Sequence, residues 1–371
     1  MIPYYILCFV PLLFCLIENE KIITVGQNQK KREIKASGIT IFFILFGIML
    51  SLRDIKCGID LENYNYYFNK YSNLSFRQVL ACNGYYDVEV GFRVFDKLFT
   101  CVSHNFQLYL AIIAVFSIAP VWWLYKRECI KPVLMLSIFL TIAPFTLYFS
   151  SLRQVLAIAL AIPAFQFTKK RKLILFILVV ILASTIHSSA IIMFAIYPVF
   201  WMHITQKWLY VVIPLIVAFF LISRYIFKYF LGFLVGTKYE MYTMSSTGAY
   251  GMFFLLILLS AMVFIITGGT GEAELTRDEI GLRNLLLVSV CLQSFASLST
   301  IAMRLNYYYL IFVPITIPRL LSKSSIRFKQ IAKAAEIFLT CFFFLHFIVD
   351  MYTSADILEV FPFVPFWQNS I

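Results

Sequence analysis

A small set of ionisable and polar side chains stands beside or between long apolar stretches of this chain: Arg53, Asp54, Asp60, Glu89, Arg93, Arg153, Gln154, His187 and Arg304. Its core is Arg53, Asp60, Glu89, Arg153 and Arg304, with His187. Placing a charge at bilayer depth costs about 3 kcal/mol, so such groups persist where they face a cavity or a partner. Arginine suits one ligand class, because its planar fork grips phosphate oxygens in pairs and stays ionised near lipid. His187 lies among small residues, in Ser184-Thr185-Ile186-His187-Ser188-Ser189-Ala190, which leaves room for a ligand beside an imidazole able to accept a proton near neutral pH.

Each of these residues also has a plainer reading. Arg53 can mark a helix end and extend to the headgroups. Glu89 and Arg93 are spaced to pair on one helix, and His187 can be a hydrogen-bonded packing residue. Arg153 and Arg304 resist that treatment, since Ser150-Ser151-Leu152-Arg153-Gln154 and Met303-Arg304-Leu305 join apolar segments with almost no loop. His104, His203 and His346 read as interfacial or packing residues. The eight cysteines form no CxxC pair and have no histidine partner at ligand spacing, which argues against a metal or thiol redox centre. Cys57 and Cys82 lie where an oxidising periplasm allows a disulfide, free thiols being the alternative.

The elements that must position these groups are membrane helices. Of 371 residues, 61% are hydrophobic and 13% charged, against about a quarter charged in a globular domain. The apolar segments fall near Ile2 to Ile17, Ala36 to Leu52, Asn105 to Tyr125, Pro132 to Phe149, Val155 to Thr168, Leu173 to Ile186, Ser188 to Ile204, Trp208 to Ile222, Tyr250 to Thr267, Asn284 to Ile301, Leu305 to Pro318 and Ala334 to Met351. The expected fold is an all-α integral membrane protein of about twelve transmembrane helices, one polytopic domain over residues 1–371. Leu173 to Ile204 is either one long helix or two; about twenty residues already span a bilayer, which favours a break at His187. The first segment ends at Glu18-Asn19-Glu20 without a small-residue cleavage site and reads as a retained helix.

The net charge of +12 does not point to nucleic acid, because the basic residues cluster in short loops such as Lys169-Lys170-Arg171-Lys172. With twelve spans, most of the 31 Lys and Arg fall on one side. By the positive-inside rule that side is the cytoplasm, both termini are outside, and residues 53–104 form a periplasmic loop. Within that loop Val88, Gly91, Phe92, Phe95, Leu98, Phe99 and Val102 recur at helical spacing, predicting an amphipathic helix on the membrane surface, capped by Asp87. A second periplasmic loop, 223–249, is aromatic-rich and then polar. All of the singled-out groups thereby reach the outer side.

Five short motifs in this order are familiar. Gly58-Ile59-Asp60-Leu61-Glu62-Asn63-Tyr64 resembles the G-x-D-x-x-x-Y signature of the EpsG-like branch of the Wzy O-antigen and capsule polymerases. Glu89-Val90-Gly91-Phe92 resembles that family's E-P-G-F/Y, Leu152 to Ala157 its L-R-Q-x-L-A, His187-Ser188-Ser189-Ala190 its H-x-S-A, and Arg304 with Tyr308 its R-x-x-x-Y. Departures are Leu61 where Thr is common and Val90 where Pro is common. The resemblance implies a metal- and cofactor-independent glycosyltransferase of the bacterial inner membrane. Its substrates would be undecaprenyl-diphosphate-linked oligosaccharides, as both donor and acceptor, and its partners the membrane lipids, a chain-length regulator and a flippase. On this reading Arg153 and Arg304, helped by Arg53, stabilise the departing diphosphate. His187 is first choice as general base, with Glu89 and Asp60 as alternatives. Asp60, Tyr64, Gln154, Arg93 and Tyr308 complete the expected substrate-binding set. A flippase for lipid-linked sugars and a membrane O-acyltransferase are the rival classes; a transporter would be expected to bind at mid-depth with broken helices.

Overall fold

The computed structural model describes residues 1–17, 21–25, 29–33, 37–82, 88–142, 144–204, 211–218, 220–222, 250–268, 275–295, 300–324, 328–353 and 358–368. The described chain is nearly all helical, and it divides into two compact units: residues 1–191 with 340–371, and residues 192–339.

The first unit opens with helix α1 (Ile2–Ile17), an antiparallel hairpin of strands β1 (Lys21–Val25) and β2 (Gln29–Glu33), and α2 (Ser37–Leu52). Gly38 lets α2 press against α1 at Pro11 and Cys15, where a Cβ would collide. Three helices then fill the predicted outer loop: α3 (Leu61–Ser72), α4 (Phe76–Ala81) and α5 (Val90–Thr100). A Ser75/Gln78 capping box starts α4. Helix α6 (Phe106–Glu128) begins at Asn105, whose side chain accepts from the Leu108 amide. After α7 (Pro132–Thr141) come the single turn α8 (Leu147–Ser150), α9 (Leu152–Lys169) and α10 (Leu173–Ile186).

An aromatic core locks α2 to the α7–α8 region, with Phe46 and Phe145 stacked at 5.0 Å and Phe42 edge-on to Phe139 at 5.6 Å. A second core of Leu61, Tyr64, Phe68, Phe92, Tyr109 and Leu152 joins α3, α5, α6 and α9. The amphipathic stripe of α5 was expected to lie on lipid. Much of it faces protein instead: Phe92 is buried, and Phe95 and Phe99 pack on the same cluster. The C-terminal residues 358–368 run antiparallel along residues 52–59, through Asp54 N–H to Val364 O (2.8 Å), Phe366 N–H to Leu52 O (2.9 Å) and Ile59 N–H to Leu358 O (3.0 Å).

The second unit holds the end of a 3₁₀ stretch (Ser188–Ala195), α11 (Ile196–Trp201), α12 (Val211–Ile222), α13 (Tyr250–Gly268), α14 (Arg277–Gln293), α15 (Thr300–Leu310) and α16 (Val313–Leu321); α17 (Lys329–Thr353) follows. Thr276 and Glu279 cap α14 reciprocally. Its polar face is buried: Asn284 donates to Val199 O and Met202 O, both at 2.9 Å, and Ser289, Asn306 and Gln293 form a chain at 2.8 Å per step.

Among the described residues three helices are long and apolar enough to cross a membrane, Phe106–Glu128, Tyr250–Thr267 and Lys329–Thr353, and several shorter apolar helices accompany them. Their positions follow the expected segments with informative differences. Segments 1 and 6 match α1 and α10 end to end, and the break at His187 is present, the residue being extended (φ −149°). The fourth segment is interrupted after Thr141. Helix α14 starts seven residues before the expected Asn284, and the following break comes near Ser294, so Arg304 lies inside α15 rather than between helices. The expected loop 223–249 and the cap Asp87 lie outside the described residues; α5 has Glu89 at its N-cap position, with no side-chain capping bond.

Candidate functional site

Two glycines set the geometry of one end of the first unit. Gly58 has φ +133°, a conformation that L side chains avoid, and a Cβ there would run into the Phe149 carbonyl. The 58–60 turn can therefore lie directly on the α8–α9 junction. Asp60 follows at the head of α3, and its Oδ2 accepts from Ser150 Oγ at 3.2 Å and Ser151 Oγ at 3.3 Å. Gly91 plays the same part for α5, since a Cβ would strike Thr185 near the C-terminus of α10. Two residues before that contact stands Glu89, and two residues after it stands His187.

Glu89 is the hub. Its Oε2 accepts from Arg153 Nη1 at 2.5 Å, and its Oε1 meets His187 Nδ1 at 3.1 Å and the Ser188 amide at 2.9 Å. Arg153 Nε also reaches Tyr64 Oη at 3.5 Å, while the Tyr64 ring packs edge-on against Phe92. Tyr64, Glu89, Arg153 and His187, four of the residues expected from sequence, thus form one connected cluster, with Asp60 beside it. Its side chains are partly open: Arg153 is 24% exposed, Glu89 and His187 15% each.

Electrostatics fixes the role of the carboxylate. Burial pushes the Glu89 pKa up, but the hydrogen bond with His187, the Arg153 charge and the Ser188 amide outweigh it and hold the group well below the ordinary carboxylate range. An ionised carboxylate can only accept. The His187 Nδ1 facing it therefore donates, and in the neutral ring the lone pair is left on Nε2. Glu89 thus serves three donors, and the His187 Nε2 lone pair is the acceptor left over in this group.

The remaining expected residues are disposed differently. Arg53 is buried under the C-terminal segment, its guanidinium 5.8 Å from the Phe149 ring centroid and its Nε without a hydrogen-bond partner among the described residues. Arg93 does not pair with Glu89; it is buried and donates to the Cys82 carbonyl. Gln154 is buried on α9. Arg304 and Tyr308 sit one turn apart on α15 in the second unit, Tyr308 fully buried. None of the eight cysteines is in a disulfide, Cys57 and Cys82 included. Among the described residues no group of His, Cys, Asp and Glu could hold a metal ion.

Sequence reasoning missed Ser150, Ser151 and the Ser188 amide as partners, although each lies inside a quoted motif. It also missed Asp96, whose carboxyl is 1% exposed and bonded to Tyr109 Oη behind the Tyr64 cluster. Burial raises its pKa to about 8, against the opposing pull of Tyr109 and of the Arg153 charge. A lone Asp in an amphipathic helix carries no sequence signal of that kind.

Residues 38–366 match the EpsG family. No curated protein and no solved structure matches the chain.

Proposed function

The chain belongs to the EpsG family, and from that premise we propose that it is a Wzy-type polysaccharide polymerase of the bacterial inner membrane. Membership fits a glycosyltransferase-like, polysaccharide-polymerase-like membrane protein. The finer reading is transfer of a growing glycan from undecaprenyl diphosphate to a sugar hydroxyl of another lipid-linked repeat, at the periplasmic face. The observation that carries it is the Glu89 hub, which ties one fixed cation and one oriented imidazole to the same carboxylate.

In the proposed reaction the acceptor hydroxyl oxygen bonds to the anomeric carbon of the donor. The bond from that carbon to the diphosphate oxygen breaks, and the lipid diphosphate leaves with the electron pair. The hydroxyl proton passes to His187 Nε2. Arg153 moves its positive charge onto the leaving diphosphate, and Arg304 is the second cation the family pattern offers for that task. Asp60, Tyr64 and the Ser150–Ser151 hydroxyls supply hydrogen-bonding groups for sugar. On this reading the steps use neither a nucleotide sugar nor a metal.

The test is reconstitution of the purified protein in liposomes with a lipid-linked repeat and no nucleotide sugar. A ladder of products longer than one repeat, absent for Arg153→Ala, is the expected result. In cells, deletion is expected to leave a surface lipid core bearing a single repeat. A core bearing none would point to a flippase and overturn the proposal.

A further inference from the structure

A furrow of about 730 Å³ runs between α2 and α6 in the first unit, with Phe43, Ile44 and Ile48 on one bank and Val115, Ile118 and Trp122 on the other. That is within the range of small-molecule sites, ~300–1,000 Å³, yet its chemistry is that of hydrocarbon alone. The few polar groups that line it are already engaged: Ser51 Oγ donates to Gly47 O at 2.7 Å, and Thr40 Oγ1 accepts from Trp122 Nε1 at 3.1 Å. A ligand with polar atoms along its length would find few groups to bond.

The two ends of the furrow differ. The Thr40–Trp122 bond closes one, and Lys126 lies over the Trp122 ring at 5.1 Å, which marks it as the cytoplasmic end by the positive-inside rule. The other end, Ser51 and Leu52, leads straight into Arg53. There Gln107, in the first turn of α6, donates to the carbonyls of both Ser51 and Arg53. Tyr109, two residues on, belongs to the core that carries Tyr64 and Leu152, the residue before Arg153. From Thr40 to Ser51 the helix rises about 16 Å, roughly half of the ~30 Å hydrocarbon core. Ile44, Ile48 and Val115 are each about half exposed, so the furrow opens sideways onto the apolar surface.

We infer that this furrow holds the isoprenoid tail of the lipid-linked diphosphate substrate, with its head directed toward the Arg153–Glu89–His187 cluster. The assignment rests on the polymerase reading for the identity of the head group. Its argument is adjacency: the furrow ends at Ser51 and Leu52, where Gln107 of α6 meets the Ser51 and Arg53 carbonyls, and Tyr109 two residues on packs in the core that carries Tyr64 and Leu152.

The test uses the full-length protein in liposomes with a C55 polyprenyl diphosphate carrying a diazirine in its tail. Photolabel is expected on peptides of α2 and α6, reduced at least tenfold by Ile48→Trp or Val115→Trp, which fill the furrow from its exposed banks. The control Ile6→Trp, on the exposed face of α1, is expected to change nothing. Undecaprenyl phosphate in tenfold excess should compete, and phosphatidylglycerol should not. Label elsewhere, label indifferent to both furrow variants, or equal competition by phosphatidylglycerol would each overturn the inference. The two readings fail separately. Displaceable labelling without chain extension sinks the polymerase assignment alone, and chain extension without furrow labelling sinks the tail site alone.

Discussion

At the residue level the proposed chemistry turns on one carboxylate serving three donors. Replacing Glu89 by Gln keeps the shape and one acceptor for the Ser188 amide but removes the charge that fixes Arg153 and orients His187. Because positioned acid–base catalysis contributes about 10² to 10⁴-fold, Glu89→Gln and His187→Ala are each expected to slow chain extension by about a hundredfold or more. The protein should still insert, as measured by product ladders from equal amounts of reconstituted protein. Since Glu89 is held ionised well below the ordinary carboxylate range, its stabilising contribution is present through the physiological window and is lost only in strong acid. The opposite holds for Asp96. Its folded pKa is raised to about 8, above the ~3.9 of an unfolded aspartate, so in between the folded state keeps a proton that the unfolded chain releases. Stability should therefore fall as pH rises from about 4 to about 8, then level off. Asp96→Asn keeps a partner for Tyr109 and should abolish this slope, with a higher melting temperature than the parent at pH 8 and little difference at pH 4, read from thermal melts in detergent.

At the level of the element, the two motif glycines explain why short, low-complexity signatures recur in fixed order. Gly58 brings the Asp60 turn onto the α8–α9 junction, and Gly91 brings α5 onto α10, so each glycine delivers an acidic residue two positions away. Gly91→Val is accordingly expected to push α5 off Thr185, abolish chain extension and lower the melting temperature. Val90→Ala, at a half-exposed neighbour, should leave both unchanged. The ends of α1 and α10 and the break at His187 were legible because an unbroken apolar run stops there at charged or small polar residues. Helices α3 and α4 were not, since Glu62-Asn63-Tyr64-Asn65 and its neighbours read as loop until the packing of Leu61, Tyr64 and Phe68 on α6 is seen. The start of α14 was hidden for a related reason. Glu279 and Arg283 look like loop residues, yet they are buried and partnered, Glu279 with Lys323 at 3.4 Å and Arg283 with the Ile204 carbonyl at 2.6 Å. Pairings such as Glu89–Arg153, 64 residues apart, have no local signature; both residues were candidates for their charge beside apolar sequence, but nothing local in the sequence joined them.

At the scale of the whole molecule the remaining question is which side of the membrane each end of the helices faces, because the proposed substrate is available on one side only. The basic loops set an expectation through the positive-inside rule, and two native cysteines turn it into a measurement. Cys101 closes α5, on the outer side by this rule, and is exposed; Cys129 follows α6, a helix long enough to cross, and is partly exposed. With α6 crossing as expected, the two cysteines face opposite sides whatever the number of later spans. In variants retaining a single cysteine, a membrane-impermeant maleimide applied to intact spheroplasts should modify Cys101 and leave Cys129 untouched until the membrane is permeabilised. The reverse pattern would put Glu89, Arg153 and His187 on the cytoplasmic side, where an acyl donor is at hand, and would move the cluster from glycan polymerisation toward acyl transfer. Labelling of both in intact spheroplasts would mean that α6 does not cross, and with it the sidedness inferred from the basic loops would fall.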